Sequence, residues 1–301
     1  MSKKLLVFLA TILLILAGCN NKDDDSSSNE THKYKTDEGK TIKIPNNPKR
    51  VVVLTTNQGN FQKLGIDPVG VDADFPKSKF VDDKDAKRVG SEDIEAVTKL
   101  KPDLIITYNA NPQIKKYEKI APTVPFDHSK RTFKEVHVEI GKLLGKEDKA
   151  KEQVKELEDL MTKEGKDVKE KLGKDSTVSI MEVGPKELTL IGNNFGRGSE
   201  VIYQGFGFKH PKSAEEDIPK EGWLSTSLEN FSKYSGDYLL IPTEDGNKPK
   251  SSLIDGSIWK NTKAVKENQV YYYPKNLFMY SDPISIEKQT KYLKDMLSKI
   301  T

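Results

Sequence analysis

The loop from Gly192 to Gly198 contains the residues best suited to hold a ligand. Phe195 and Arg197 stand there among glycines, which let the backbone bend sharply. The loop lacks the Lys-Ser/Thr pair of a phosphate-binding loop and the glycine spacing of a dinucleotide fingerprint. A guanidinium donates charge-assisted hydrogen bonds to negatively charged oxygens, and an aromatic face covers hydrocarbon. Taken alone, the loop predicts either a binding site or a hairpin turn with a surface arginine.

The histidines offer no direct metal site. Three of the four have no nearby histidine or carboxylate at metal-ligand spacing, and the fourth, His32, lies in a polar segment. No Ser/His/Asp arrangement accompanies a strand–turn–helix elbow either. The sequence therefore predicts neither a zinc or manganese centre, nor a resident cofactor, nor a hydrolase.

Cys19 is the only cysteine of the chain. It follows a short basic start, an apolar run over residues 5–16 and two small residues. That run is shorter than the roughly 20 residues a membrane-spanning helix needs, so residues 1–18 read as a signal peptide that is removed. A cysteine directly after the cleavage point is typical of the lipid attachment site of a bacterial lipoprotein. The alternative is an ordinary signal peptide followed by a chance cysteine.

The composition excludes some partners. The chain has 301 residues, with 49 Lys+Arg against 46 Asp+Glu and a net charge of +3. The charges alternate along helices and do not form basic blocks, so no nucleic-acid partner is expected. The length suits one large or two modest domains. Arginine is rare and occurs only at Arg50, Arg88, Arg131 and Arg197.

Strands and helices alternate on both sides of one long charged helix. The helix is predicted over residues 147–172, and its narrow apolar stripe suits a strut between two lobes better than a core helix. Residues 100–106 resemble residues 234–240, so the two halves echo each other. We predict an α/β fold with two Rossmann-like lobes, each with a central sheet, joined by one long helix. The predicted strands cover residues 41–45, 51–54, 69–71, 102–108, 177–181, 188–192, 236–241 and 268–273.

The predicted domain boundaries follow from these patterns. The signal peptide covers residues 1–18, and the cysteine with a flexible polar tether covers 19–33. The N-terminal lobe covers 34–146 and the C-terminal lobe 173–301, on either side of the helix. Further helices are expected over residues 91–100 with Ser91 as N-cap, and over 132–144, 199–205, 228–234 and 284–300.

Several segments carry a resemblance to a known family. They are residues 48–53, 64–71, 101–106, 259–261 and 264–268. Together they resemble the substrate-binding lipoproteins of iron-siderophore ABC importers, whose class III periplasmic-binding-protein fold joins two lobes by a single helix. The ferric hydroxamate-binding lipoproteins of Gram-positive bacteria are the most similar, and that likeness extends through residues 192–204. It covers nearly the whole mature chain.

The resemblance implies site residues in both lobes. Arg197 would donate to the hydroxamate oxygens and Phe195 would cover the hydrocarbon of the ligand. Tyr108 ends an N-lobe strand, where ligands sit in open α/β sheets, although it could equally be a core or rim tyrosine. Phe195 and Met279 stand where relatives carry tryptophan, and His128 where they carry tyrosine, so a smaller aromatic lining is expected. The full predicted ligand set is Phe195, Arg197, Tyr108, His128, Phe278, Met279 and Tyr280.

The resemblance also implies how the protein would act. Glu95 and Glu229 would dock on the permease, although a solvated helix face is the default reading of a lone glutamate. The implied function is capture of an iron(III)-hydroxamate siderophore by a monomer, held by lipid on the extracytoplasmic face of the cell membrane, for delivery to an ABC permease. Iron would stay in its siderophore and no chemistry would occur. The alternatives are a receptor for haem or a carboxylate siderophore, and a tethered α/β enzyme.

Overall fold

The computed structural model describes residues 30–299 except Glu221. The predicted signal peptide, Cys19 and the tether up to residue 29 lie outside the described residues. Strand β1 (Thr31–Lys35) pairs with β2 (Thr41–Pro45) as an antiparallel hairpin. The tether was predicted to extend through residue 33, so that boundary was wrong. The reason is a contact between distant parts of the chain. The His32 ring forms a hydrogen bond with the Leu143 carbonyl oxygen at 3.1 Å, which holds β1 against the N-lobe.

The N-lobe is built on a five-stranded parallel sheet in the order β5-β4-β3-β6-β7. All four residues of β3 are buried, as the continuous apolar run predicted. The strands are β3 (Val51–Leu54), β4 (Gly70–Asp72), β5 (Lys87–Val89), β6 (Leu104–Tyr108) and β7 (Thr123–Phe126). The helices are α1 (Gln58–Lys63), α2 (Ile94–Lys99), α3 (Ile114–Tyr117) and α4 (Phe133–Leu143).

Helix α5 (Glu147–Leu172) spans the range predicted for the strut. Its first turns lie against α4, where a Cβ on Gly141 would come within 2.4 Å of the Ala150 side chain. Further along, Leu157, Met161 and Val168 are buried in the C-lobe core. The narrow apolar stripe therefore joins both cores through one helix. Among the described residues, no helix is long and apolar enough to cross a membrane.

The C-lobe sheet has the order β10-β9-β8-β11-β12 and is mixed. β8, β11 and β12 are parallel, while β9 is antiparallel to both of its neighbours. The strands are β8 (Val178–Val183), β9 (Glu187–Ile191), β10 (Trp223–Ser227), β11 (Tyr238–Thr243) and β12 (Val270–Pro274). A π-helix (Glu200–Gly205) is followed by α6 (Lys212–Asp217), α7 (Phe231–Tyr234), α8 (Ser252–Asp255), α9 (Ser257–Asn261), α10 (Lys263–Lys266) and α11 (Pro283–Ser298). Short 3₁₀ turns cover His128–Lys130, Leu228–Asn230 and Lys275–Leu277.

The echo between the halves is structural. In the N-lobe, Asp103 accepts hydrogen bonds from the backbone N–H groups of Lys49 (2.6 Å) and Arg50 (3.0 Å) just before β3. In the C-lobe, Asp237 accepts from the backbone N–H and the hydroxyl of Thr177, both at 2.9 Å, just before β8. Asp103 directly precedes β6 and bonds to the start of the neighbouring strand β3. Asp237 directly precedes β11 and bonds to the start of the neighbouring strand β8. The central strands β3 and β8 therefore begin at equivalent aspartate contacts, and the predicted two-lobed α/β fold is confirmed.

Some local predictions failed. The N-cap of α2 is Asp93, whose carboxylate accepts from the Ala96 N–H at 2.9 Å, while the Ser91 hydroxyl donates to Asp74. The short strands β5, β7 and β10 were not predicted. Three to five residues carry too little periodicity to identify a strand, and neighbouring strands decide whether they pair.

Candidate functional site

A cleft of about 190 Å³ lies between the two lobes. On the N-lobe side it opens beyond the carboxyl ends of β3 and β7, the edge at which ligands bind in open α/β sheets. The N-lobe lining is Thr56, Asn57, Asn60, His128, Arg131, Phe133 and Val136, and the C-lobe lining is Asn194, Phe195, Gly196, Glu200, Met279, Ser281 and Asp282.

The loop from Gly192 to Gly198 forms part of the C-lobe wall. Phe195 lines the cleft and packs on Trp223, with ring centroids 6.1 Å apart. Arg197 has a φ of +59°, and its N–H donates to the Phe278 carbonyl oxygen at 2.6 Å. The Arg197 guanidinium lies 5.9 Å from the Phe195 ring and donates through Nε to Glu182 at 2.5 Å. Arg197 thus stands next to the Phe195 ring with its charge paired, and it is not among the residues that line the cleft.

His128 and Tyr108 form the aromatic part of the N-lobe wall. The His128 ring donates from Nε2 to Asn57 Oδ1 at 3.0 Å and lies 5.0 Å from the Tyr108 ring. Burial lowers the pKa of His128 to about 4, so the imidazole is neutral at neutral pH. Tyr108 sits behind His128, and its hydroxyl donates to Thr56 Oγ1 at 3.3 Å. Of this pair, only His128 lines the cleft.

The three predicted ligand residues in the loop after β12 lie in three different surroundings. Met279 lines the cleft. The Tyr280 hydroxyl donates to the Pro76 carbonyl oxygen and so reaches from the C-lobe to the N-lobe. The prediction for Phe278 was wrong, because its side chain is 0% exposed and packs edge-on against Tyr273 at 4.7 Å in the C-lobe core. The physical reason is that Gly198 leaves space for the Phe278 ring, which a side chain there would crowd.

Two buried carboxylates form the floor of the cleft, and sequence reasoning missed both. Glu200 accepts from the Gly196 N–H and the Ser281 hydroxyl, each at 2.9 Å, and so ties the two C-lobe loops together. Asp282 accepts from the Ser285 N–H at 3.0 Å and caps α11. Burial raises the pKa of each carboxyl. The Asp-Pro pair before a helical pattern could have identified the cap, whereas no local signal marks Glu200.

Arg131 is the cationic residue of the N-lobe lining, and it too was missed. Its guanidinium donates to both oxygens of Asp37, at 2.8 and 2.5 Å. Burial is the largest single influence and alone would raise the pKa of Asp37. The hydrogen bonds from Arg131 and from the Asp127 N–H, with the positive charges of Arg131 and Lys130, together outweigh it and lower that pKa. Asp37 lies in the β1–β2 turn, far from Arg131 in sequence, so no spacing pattern joins them.

Glu95 and Glu229 occupy matching places on the two lobes. Glu95 is in the first turn of α2, and Glu229 is in the turn that follows β10. The strands before them, β5 and β10, hold the same outer position in their sheets. Both glutamates are exposed, and the Glu95 side chain, 80% exposed, pairs with Lys99 at 2.6 Å. Neither lines the cleft. Across the described residues, no group of three or more His, Cys, Asp or Glu side chains could hold a metal ion.

A family model described as periplasmic binding protein matches residues 51–277. The chain belongs to that family. Its members bind substrates for transport and are not enzymes, as the sequence predicted. The family resemblance found in the sequence is therefore confirmed.

Relatives of this periplasmic binding protein cover almost its whole length. The iron(3+)-hydroxamate-binding protein FhuD of Bacillus subtilis (strain 168) is 35% identical over 99% of this chain and 98% of that protein. The solved structure of the FhuD protein from S. pseudintermedius has a TM-score of 0.82 and 35% identity, covering 90% of this chain and 99% of that one. FhuD2 from Staphylococcus aureus with bound ferrioxamine B has a TM-score of 0.77 and 37% identity, covering 84% and 99%.

Proposed function

We propose that this protein captures iron(III)-hydroxamate siderophores and delivers them to an ABC permease for iron uptake. The observation that carries the proposal is the cleft itself, which places an aromatic ring, a thioether and polar donors around one cavity between the lobes. A ferric hydroxamate presents the matching groups, since oxygens surround its metal and hydrocarbon spacers join them. The full-length relatives named for hydroxamate binding support the same function.

Each wall has a stated role in this proposal. Phe195 and Met279 cover the hydrocarbon of the siderophore. The Asn57 amide nitrogen is buried in the cleft lining without a partner among the described residues, so it is available to donate to a ligand oxygen. The Arg197 nitrogens not engaged with Glu182 supply further donors. Iron arrives as part of the complex, and the protein contacts the siderophore without ligating the metal.

Delivery and anchoring complete the proposal. Glu95 and Glu229 dock on the permease, one from each lobe, and a lipid on Cys19 holds the protein at the extracytoplasmic face of the cell membrane. The two lobes together form one cleft within a single chain, so we propose that the protein acts as a monomer.

A fluorescence titration tests the ligand class. Of the two tryptophans, Trp223 is 40% exposed beside Phe195, whereas Trp259 is buried against Phe231 in a different apolar cluster from the one that Phe195 packs on. A ferric hydroxamate in the cleft should therefore quench Trp223. Trp259→Phe should keep the signal and Trp223→Phe should remove most of it. Tighter binding of haem or ferric citrate than of any ferric hydroxamate, in titrations run side by side, would overturn the proposal.

A further inference from the structure

Both arginines at the cleft are already paired with carboxylates of the protein. Arg131 donates through two nitrogens to Asp37, at 2.8 and 2.5 Å. Arg197 donates through Nε to Glu182 at 2.5 Å. Side-chain exposure at these pairs is low, 18% and 7% for Arg131 and Asp37, and 22% and 26% for Arg197 and Glu182. Partly buried ion pairs are screened by salt much less than exposed ones, so the neighbouring carboxylate offsets the charge of each arginine.

The floor of the cleft supplies no positive charge. Glu200 and Asp282 are each 2% exposed, and their hydrogen bonds come from hydroxyls and backbone N–H groups. Among residues 30–299 other than Glu221, neither makes an ion pair. The charged groups lining the cleft or directly paired there therefore leave no positive charge uncompensated.

Siderophore classes differ in the net charge of their iron complexes. Each hydroxamate binds iron(III) as a monoanion, so a ferric trihydroxamate core is uncharged. Citrate-type siderophores bind through several carboxylates and alkoxides, so their complexes are anionic. An anion entering this cleft would lose its hydration and meet no unpaired cation in return.

We infer that Asp37 and Glu182 are specificity-determining residues that exclude anionic iron complexes by neutralising Arg131 and Arg197. The inference rests on the proposed function and names the feature that sets its ligand class. Glu182 engages only Nε of Arg197, so the remaining guanidinium N–H groups can still donate to the oxygens of an uncharged complex. The pair therefore keeps hydrogen-bonding capacity while it removes net charge, and rejection of the wrong ligand comes from the missing charge.

The test is whether removing the carboxylate charges increases the affinity for an anionic ferric complex. Wild type, Glu182→Gln, Asp37→Asn and the double variant are titrated with the uncharged ferric complex of a cyclic trihydroxamate and with ferric citrate, by quenching of Trp223 at low salt. The ratio of the Kd for ferric citrate to the Kd for the trihydroxamate should fall about tenfold in Glu182→Gln, and further in the double variant. The fall should shrink at high salt, because freed charge near solvent is screened.

The matched control is Glu187→Gln. Glu187 is an exposed carboxylate on β9 of the same lobe, bonded to the Ser225 hydroxyl at 2.8 Å, and its loss changes the net charge equally. In Glu187→Gln the ratio of the Kd for ferric citrate to the Kd for the trihydroxamate should stay at the wild-type value. An unchanged ratio in Glu182→Gln at low salt overturns the inference, and so does an equal fall in the control. Because Glu182 is partly exposed, this single variant decides the matter even if Asp37→Asn fails to fold. A wild type that binds no trihydroxamate instead refutes the proposed function.

Discussion

Arg197 has a left-handed backbone conformation, and its side chain is hydrogen-bonded to Glu182. Its left-handed φ is held from both sides, since its N–H donates to the Phe278 carbonyl oxygen and its own carbonyl oxygen accepts from the Tyr273 hydroxyl, both at 2.6 Å. Such strain persists only where the surroundings fix the conformation. The side chain is therefore presented from a rigid base beside Phe195.

Replacing Arg197 with alanine should weaken ferric hydroxamate binding by about 1.5–3 kcal/mol, the range for hydrogen bonds to charged groups. The backbone contacts remain in the variant, so the midpoint of thermal unfolding should change little. Titration by tryptophan quenching measures the first effect and calorimetry the second. Wild-type affinity in Arg197→Ala would remove the guanidinium from the site.

His128 makes the stability of the N-lobe depend on pH. Its pKa of about 4 in the folded protein lies below the usual 6.5 because burial disfavours the imidazolium. As the pH falls from 6.5 towards 4, the His128 side chain therefore becomes protonated in the unfolded chain but stays neutral in the folded protein. His128 adds stability above pH 6.5 that is lost progressively down to about pH 4, on the order of 3 kcal/mol.

His128→Gln should remove that part of the pH dependence. The raised pKa values of Glu200 and Asp282 act in the opposite direction, so the informative quantity is the difference in unfolding free energy between variant and wild type. Urea denaturation at several pH values should show that difference shrinking as the pH is lowered from 7 to 4.5. A difference that is constant with pH would contradict the neutral, buried imidazole.

Helix α5 owes its position to small residues at its contacts. A Cβ on Gly165 would lie 2.5 Å from the Phe206 Cα, so only glycine allows the helix to approach the end of the π-helix this closely. Ala150 and Gly141 make the equivalent close contact at the N-lobe end. The helix is therefore fixed on both lobes by shape as well as by burial of its apolar stripe.

Gly165→Ala should destabilise the protein by about 1–3 kcal/mol, the cost of overpacking a tight contact. Helix propensity alone predicts the opposite sign, a gain of nearly 1 kcal/mol, so the sign of the change separates the two effects. Chemical denaturation gives the free energy of unfolding. Lys166→Ala, at an exposed site on the same helix, is the control and should stay within about 0.5 kcal/mol of wild type.

The whole molecule presents its two lobes as matched halves around one cleft. Because β5 and β10 hold equivalent places in their sheets, the elements after them bring Glu95 and Glu229 to corresponding points on the two lobes. Exposed charges so placed can fix the register of a partner that spans both lobes, and they touch the ligand little.

The double change Glu95→Ala, Glu229→Ala should leave siderophore affinity intact and reduce iron uptake by cells. Each single change should reduce uptake less than the double change does. Uptake of a radiolabelled ferric hydroxamate, normalised to the amount of protein at the cell surface, measures the effect. Normal uptake by the double variant would exclude docking. A parallel fall in affinity would place the two acids in the pocket or the fold.

The sequence by itself determined the architecture. The apolar run of β3, the bounds of α5 and the echo around Asp103 and Asp237 are local patterns, and each reflects burial or capping within a few residues. The loop from Gly192 to Gly198 was also singled out locally, because glycines beside an aromatic and an arginine indicate a sharp turn, and the family resemblance chose between a binding loop and a hairpin. His128 and Met279 were found through the family resemblance, and both line the cleft.

The tertiary structure decided which charged groups meet around the cleft and which of two adjacent side chains enters the core. Phe278 and Met279 are adjacent in sequence, yet one fills the core and the other lines the cleft, because Gly198 leaves room for one ring. Asp37 reaches Arg131 across 94 residues, and Glu200 ties loops 81 residues apart. Pairings over such distances depend on how separate elements pack, which periodicity and local propensity do not encode.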